Sequence, residues 1–507
     1  MNRRAFLLTG TAAVALATGA RADMPRWLSS EPFGQSTVIE MARDLATRDY
    51  MPQPHVPRAW QDLTYDEYRD IRFDVNRAIW ARTDLPFRMD LFHPGLYFPR
   101  GVEVDVVRDN EAHRLAFDFN LFTVGNVAPD NLPKNEFMGY SGLRFRTIFE
   151  GRRIFSECAV FQGASYFRAI GADNAYGLSA RGLALGTGDP EGEEFPTFTR
   201  FWVEEPAPDD ETITVHALLD SPSVTGAYRY VIRPGQNTEM EAEATIFPRV
   251  DLDHVGLAPL TSMFLYDQTN RHRFQDFRPA IHDSDGLLIW NGAGEMLWRP
   301  LANPTTLQVS SFVDQNPRGF GLMQRADKLS DFADLEAHYH RRPSLWIVPG
   351  EEWGEGVVRL VEIPSDEEIY DNIVAYWRPR DVIPAGSEHR MSYKMYWGGE
   401  PEERKDVTHV LNTHMGLNFS RDRILAAIDF ADHPALADLD NVRIFVAAGG
   451  RTDVSDGILQ RNPETGGARL AFTFDPTERD AVELRAQLLD ALGTPISEVW
   501  LYRWTRT

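Results

Sequence analysis

Two acidic clusters, far apart in the chain, sit among aromatic and basic residues. The first is His282-Asp283-Ser284-Asp285-Gly286, and the second is Ile369-Tyr370-Asp371-Asn372-Ile373-Val374-Ala375-Tyr376-Trp377. Between them runs Arg341-Arg342-Pro343-Ser344-Leu345-Trp346. Two carboxylates turned into one pocket are what glycosidic bond cleavage asks for: one donates a proton to the leaving oxygen, and the other activates water. Indole and phenol rings beside them offer flat faces to the C–H faces of sugars. The stretch from Asp276 to Arg378 therefore points to carbohydrate chemistry.

The residues also admit plainer readings. Asp283-Ser284-Asp285-Gly286 has the composition of an ordinary turn. It resembles half of a calcium loop, but no glutamate follows at the required spacing. Asp371-Asn372 before an apolar run reads equally as entry into a strand. His338 and His340 form a solvated pair with no third ligand in view, so no metal site is expected. Of Trp290, Trp298, Trp346, Trp353, Trp377 and Trp397, most belong in a core and one or two beside a sugar. Ser165 and Ser344 lack a nucleophile-elbow context.

The elements that must position these groups are mostly strands. Val102 to Val106 alternates with period two, turns at Asp109-Asn110-Glu111, and alternates back over Leu115 to Phe119. Thr212 to Leu219, Tyr228 to Arg233 and Glu239 to Phe247 continue the pattern. Helical signal lies near the N-terminus, where Thr64-Tyr65-Asp66-Glu67 fits a capping box and Tyr68, Ile71, Val75 and Ile79 extend an apolar stripe. A short helix is expected over Leu329 to Tyr339. The fold class is all-β: a large antiparallel sandwich with helical decorations over 23–400, a charged linker at 401–407, and a smaller immunoglobulin-like sandwich over 408–507. Strand signals in the last part fall at Ile424 to Phe430, Val442 to Ala448, Ala468 to Phe474 and Val482 to Leu488.

Residues 1–22 read as an export signal. Arg3 and Arg4 supply the pair of a twin-arginine signal, Thr11 to Thr18 a mildly apolar run, and Ala20-Arg21-Ala22 a cleavage site. The apolar run is too short to span a bilayer of roughly 30 Å, so no stable membrane insertion is expected. The 507-residue chain has 52 basic and 75 acidic residues. Arg3, Arg4 and Arg21 fall in the signal, so the exported part keeps 49 basic residues against 75 acidic ones. Such a surface disfavours nucleic acid and anionic membrane. The single cysteine, Cys158, excludes an internal disulfide, and no cofactor motif is evident.

Longer blocks now carry a resemblance. Tyr65 to Phe73, Phe161 to Ala169, Ser179 to Ala184, Gly192 to Pro196, His282 to Gly286, Arg342 to Trp346 and Asp371 to Trp377 resemble the periplasmic glucan biosynthesis protein G/D family, which serves osmoregulated periplasmic glucans. The paired arginines favour its D-type branch. The resemblance implies a galactose-mutarotase-like sandwich and action on β-1,2-linked glucan. It implies Asp371 as general acid and Asp283 as base of an inverting cleavage. Tyr339, Arg342, Glu368, Asp285, His282 and Trp377 are implied as relay or substrate-binding residues. The same cleft would serve a transglycosylase, and a non-catalytic glucan carrier is the third reading. Implied partners are the glucan and other periplasmic glucan biosynthesis factors, with a homodimer left open. Arg325-Ala326-Asp327-Lys328-Leu329-Ser330 departs from the family pattern and is expected to form part of a loop over the cleft.

Overall fold

The computed structural model describes residues 25–401, 404–476 and 480–506. The export signal expected at 1–22 and two residues of the expected linker, 402 and 403, lie outside that range.

Near the start of the described residues the strand Trp27–Pro32 edges a 15-stranded sheet. From there the sheet runs through Glu111–Leu115, Glu103–Arg108, Thr197–Glu204, Ile213–Asp220, Val224–Arg233, Thr238–Pro248 and His389–Gly398. It continues through Ser344–Pro349, Gly319–Met323, Gly286–Trp290 and Met296–Pro300. A second sheet of ten strands faces it. Its order is Gln308–Gln315, Glu355–Glu362, Ile373–Pro379, Val255–Ser262, Ser179–Arg181, Tyr166–Ala169, Ser156–Gln162, Gly142–Thr147 and Phe87–Phe92, with Ala184–Leu185 also paired to Val255–Ser262. The pairing is antiparallel apart from Glu103–Arg108 on Thr197–Glu204 and one junction described below.

Alternation explains why the sheets stack. On Val224–Arg233, Tyr228, Tyr230 and Ile232 point inward, and on Thr238–Pro248 so do Met240, Ala242, Ala244 and Ile246. They meet Leu143, Phe145, Phe161, Phe167, Leu260, Ala375 and Trp377 of the opposite sheet in one core. Burial of each large side chain contributes about 1.5–3 kcal/mol. Cys158 is fully buried in that core, and burial raises its thiol pKa, which suits a structural role.

Local propensity loses to tertiary pairing at the N-terminus. Thr64 makes the expected capping box with Glu67, but the helix covers only Tyr65–Asp70. Ile71–Phe73 pairs as a strand with Phe122–Val124, so the apolar stripe toward Ile79 is not helical. The expected helix over 329–339 is likewise shortened to Leu329–Phe332, where Ala333 turns left-handed.

The C-terminal part builds a second small sandwich. One layer contains Val410–Leu417, Ile424–Phe430, Ala468–Phe474 and Ile458–Arg461. The other contains Val499–Thr505, Ala481–Leu489 and Arg443–Ala448, and it is continuous with the 15-stranded sheet. Met296–Pro300 pairs in parallel with Val499–Thr505, through Leu297 with Val499 and Trp298 with Trp500. Leu288, Trp298, Met323 and Trp346 then pack in one cluster with Phe430, Phe472 and Trp500. The two expected sandwiches thus share a sheet and a core.

Candidate active site

The His282–Gly286 block crosses from one strand pair to another. Ile281–His282 pairs with Phe264–Tyr266. The Asp283 backbone N–H donates to the Met263 carbonyl at 2.8 Å, the Ser262 and Ser284 hydroxyls meet at 2.8 Å, and the Asp285 N–H donates to Met323 at 2.8 Å. Gly286 opens the next strand so close to Trp298 that a Cβ would lie 2.1 Å from the indole. The block is an interior crossing, not an exposed turn: His282, Asp283 and Ser284 are all buried.

Asp283 forms an ion pair with Arg342 through Nη1. Burial pushes the Asp283 carboxyl up to about 6, against the lowering effect of the Arg342 charge, while the neighbouring Asp371 charge pushes in the same direction as burial. Arg342 lies 4.2 Å above the Tyr339 ring and donates from Nη2 to the Ala337 carbonyl at 3.2 Å. Tyr339 is buried and its phenol pKa is raised, first by burial and then by the charge on Glu368. Glu368 in turn pairs with Arg278 at 2.9 Å, and Arg278 also binds Asp276 and Asp334, each at 2.8 Å. Tyr339 therefore stands within the electrostatic reach of both Glu368 and Asp283.

Asp371 is brought to the same place by its neighbour. Asn372 is buried, accepts the Phe264 N–H at 2.8 Å, and donates to the carbonyls of Phe264 and Ile363 at 2.9 and 3.0 Å. Phe264 is the residue that pairs with His282, so the Asp-Asn step pins the acid beside the Asp283 crossing. The Asp371 side chain keeps 29% of its surface exposed and faces Arg168 Nη2 at 4.0 Å. Its pKa is raised by burial, with Arg168, Arg181 and Arg342 opposing. An upward-shifted acid stands at an open mouth, and a buried carboxylate is fixed by arginine beneath it.

Other residues expected at the site have different places. His282 stacks on Phe264, hydrogen-bonds Gln324 at 3.0 Å, and is held neutral, its pKa pushed down by burial to about 3. Asp285 points the opposite way from the Asp283 pair: its Oδ2 accepts the N–H groups of Arg325 and Ala326 at 3.0 and 3.1 Å. Burial pushes it up to about 7. Trp377 is a correction. It lies fully buried in the intersheet core beside Trp353, because residues 373, 375 and 377 share the inward face of their strand. In the Arg325 segment the Arg325 side chain is buried against Glu498 and Glu400, Asp327 to Ser330 are exposed, and the following Phe332 packs against His282 and Tyr339. Among the described residues, no group of three His, Cys, Asp or Glu gathers in a way that would hold a metal ion.

The structure adds Tyr166, Arg168, Arg181 and Glu193. Tyr166 and Arg168 alternate with inward Phe167 and Ala169, and Tyr166 pairs in register with Arg181. Arg181 is buried, bonds Glu193 at 2.6 Å, and lies between the rings of Tyr166 and Phe195. Period-two placement of charge beside core residues was the available signal. Buried polar atoms around the site with no hydrogen-bond partner among the described residues include Arg181 Nε, Arg342 Nε and Thr261 Oγ1. Such atoms are rare in folded proteins and mark places where a ligand or water completes the set.

The chain is an all-β protein of stacked, mostly antiparallel sheets with a carboxylate pair set among arginines and aromatic rings. The chain belongs more particularly to the periplasmic glucan biosynthesis protein family, whose model matches residues 33–504. It is 49% identical over 496 residues to glucans biosynthesis protein G of Shewanella sp. (strain ANA-3), covering 97% of this chain and 90% of that one. It is also 49% identical over 488 residues to glucans biosynthesis protein G of Vibrio cholerae serotype O1 (strain M66-2), covering 95% and 89%. Among solved structures, a galactose mutarotase related enzyme from Lactobacillus acidophilus aligns at 10% identity and a TM-score of 0.21, over 48% of this chain and 98% of that one. That last likeness is too slight to carry an argument.

Proposed function

We propose that the protein cleaves β-1,2-linked glucan with inversion, Asp371 acting as general acid and Asp283 as base through a relay that includes Tyr339. The observation that carries this reading is the placement of the two carboxyls: burial raises the pKa of both, but only Asp371 reaches the open mouth, while Asp283 is held inside by Arg342. Asp371 stands at the mouth with its pKa raised and can reach a leaving oxygen. Asp283 is buried but ion-paired to Arg342, so it stays charged at neutral pH. Tyr339, between Asp283 and Glu368, offers a hydroxyl through which a water could pass its proton inward. The paired arginines at 3 and 4 support periplasmic export by the twin-arginine route and a D-type role.

A transfer reaction at the same site is the second reading, favoured by the biosynthetic description of the family. Incubation with linear β-1,2-glucan, following product size and anomeric form, separates the two. Shorter chains released with inverted configuration support hydrolysis. Cyclic or rearranged products without new reducing ends support transfer. Unchanged glucan despite binding overturns both and leaves a carrier.

The pH profile provides a further check. Asp283 takes up a proton as pH falls through about 6, so kcat/KM is expected to drop below that value. The alkaline limb reports loss of the Asp371 proton. Arg168 lowers the pKa of both carboxyls, so Arg168→Ala is expected to move both limbs of the bell to higher pH. A profile that stays in place would remove Arg168 from the electrostatics of the pair.

A further inference from the structure

A cavity of about 650 Å³ lies away from the acidic pair, where the first strand, the turn over residues 76–85 and the edge of the large sheet meet. Four strand spacings of the second sheet separate Ser179–Arg181, beside the candidate site, from Phe87–Phe92, which follows that turn, or on the order of 20 Å. The volume falls within the roughly 300–1,000 Å³ of small-molecule sites. Its walls include the half-buried Trp27, with Trp80 and Tyr140 buried behind, and its polar groups include Arg108 and Glu205.

Trp80 is the most telling of these. It is a bulky residue held at φ +68°, a backbone conformation that such side chains adopt only where the surroundings impose it. Its Nε1–H donates to Glu205 Oε2 at 2.7 Å. Arg108 binds the same carboxylate through both its Nε and Nη2, at 2.8 and 2.6 Å. Burial works against charge on Glu205, but these bonds hold its pKa below the usual range, so it is a fixed carboxylate acceptor. Arg108 accounts for the one bond on Glu205 Oε1, and a carboxylate oxygen has room for another donor. The half-buried Trp27 indole beside a fixed acceptor that can still take a hydroxyl is the chemistry of sugar recognition.

We propose that this cavity is a second, non-catalytic carbohydrate site, taking a short gluco-oligosaccharide and tethering the same glucan chain that Asp371 and Asp283 act on. The assignment rests on the glucan reading above. Two sites on one polymer raise its affinity without any new contact at the reacting bond.

The test is calorimetric titration of the exported chain carrying Asp371→Asn, which binds without turnover, using β-1,2-linked glucose disaccharide and then a long linear β-1,2-glucan. Two disaccharide sites per chain are expected. Ala81→Trp, which fills the cavity, and Trp27→Ala, which removes one wall, should each abolish one of them and weaken the long glucan by about tenfold or more. In the chain with Asp371 intact, both variants should leave turnover of a short oligosaccharide unchanged. One disaccharide site indifferent to both variants overturns the second site and leaves the glucan reading standing. Occupation of the cavity by residues preceding Pro25, seen as two sites appearing only after their removal, also overturns it. Failure of the unmodified protein to bind either probe overturns the glucan reading itself.

Discussion

Asp371→Asn is expected to lower kcat on linear β-1,2-glucan by about 10²–10⁴-fold, the range a general acid contributes, while the dissociation constant stays within about threefold. Asparagine has nearly the same shape but no acidic proton to give. The side chain is held at the mouth by its neighbour Asn372, whose three hydrogen bonds to Phe264 and Ile363 do not involve position 371, so the backbone should not move. Asparagine has no proton to lose, so the residual activity of the variant should keep the acid limb set by Asp283 and lose the alkaline one. Single-turnover rates and binding of an intact glucan, measured together, decide the matter. Wild-type turnover in the variant would end the assignment of Asp371 as the acid. Loss of binding together with turnover would recast it as a substrate anchor.

Much of the sheet framework was legible because alternation survives wherever one face is buried. Ile424–Phe430 and Ala468–Phe474 have the bounds that alternation gave them, and Thr212 to Leu219 is offset by one residue from the strand Ile213–Asp220. What alternation cannot carry is partner choice. Nothing in Met296–Pro300 announces a parallel neighbour two hundred residues later, so the sheet that joins the two sandwiches was invisible. The helical stripe after Thr64 failed for the same reason: the strand pairing of Ile71–Phe73 with Phe122–Val124 outweighs a local preference of a few tenths of a kcal/mol per residue.

At the site, residue type was a better guide than residue direction. Carboxylates and arginines were recognisable, and the structure brings Asp283, Arg342, Tyr339, Glu368 and Asp371 within mutual influence. Direction depends on strand parity. Only Ser284 separates Asp283 from Asp285, yet one pairs with Arg342 and the other receives the Arg325 and Ala326 amides, because the chain crosses between strands at that point. Trp377 looked like a sugar platform by type and is core by parity. Arg168 and Arg181 were in blocks already singled out, but their role depends on which face of the sheet they occupy.

Arg325→Ala should be among the most destabilising single changes in the protein, costing about 3–5 kcal/mol. The guanidinium is buried, with a side-chain exposure of 4%, and meets Glu498 through two bonds of 2.7 and 2.9 Å. It also pairs with Glu400, donates to the Val410 carbonyl at 2.7 Å, and lies 3.7 Å over the Trp298 ring. Glu498 is itself 1% exposed and accepts the Val410 N–H at 2.8 Å, so loss of the arginine strands a charge in the shared core. The cost is larger than that of a surface pair, for which the median is about 0–1 kcal/mol, because the partner cannot turn to water. Chemical denaturation of Arg325→Ala, Glu498→Gln and the double variant gives the coupling directly. The expected cycle has Arg325→Ala as the larger single loss and a double variant less impaired than the two losses added, since Glu498→Gln removes the stranded charge. The backbone amide of residue 325 still reaches Asp285 in the alanine variant, so the site should remain built in the fraction that stays folded. Strictly additive losses, or a change under about 1 kcal/mol, would mean that the arginine spans the junction without holding it.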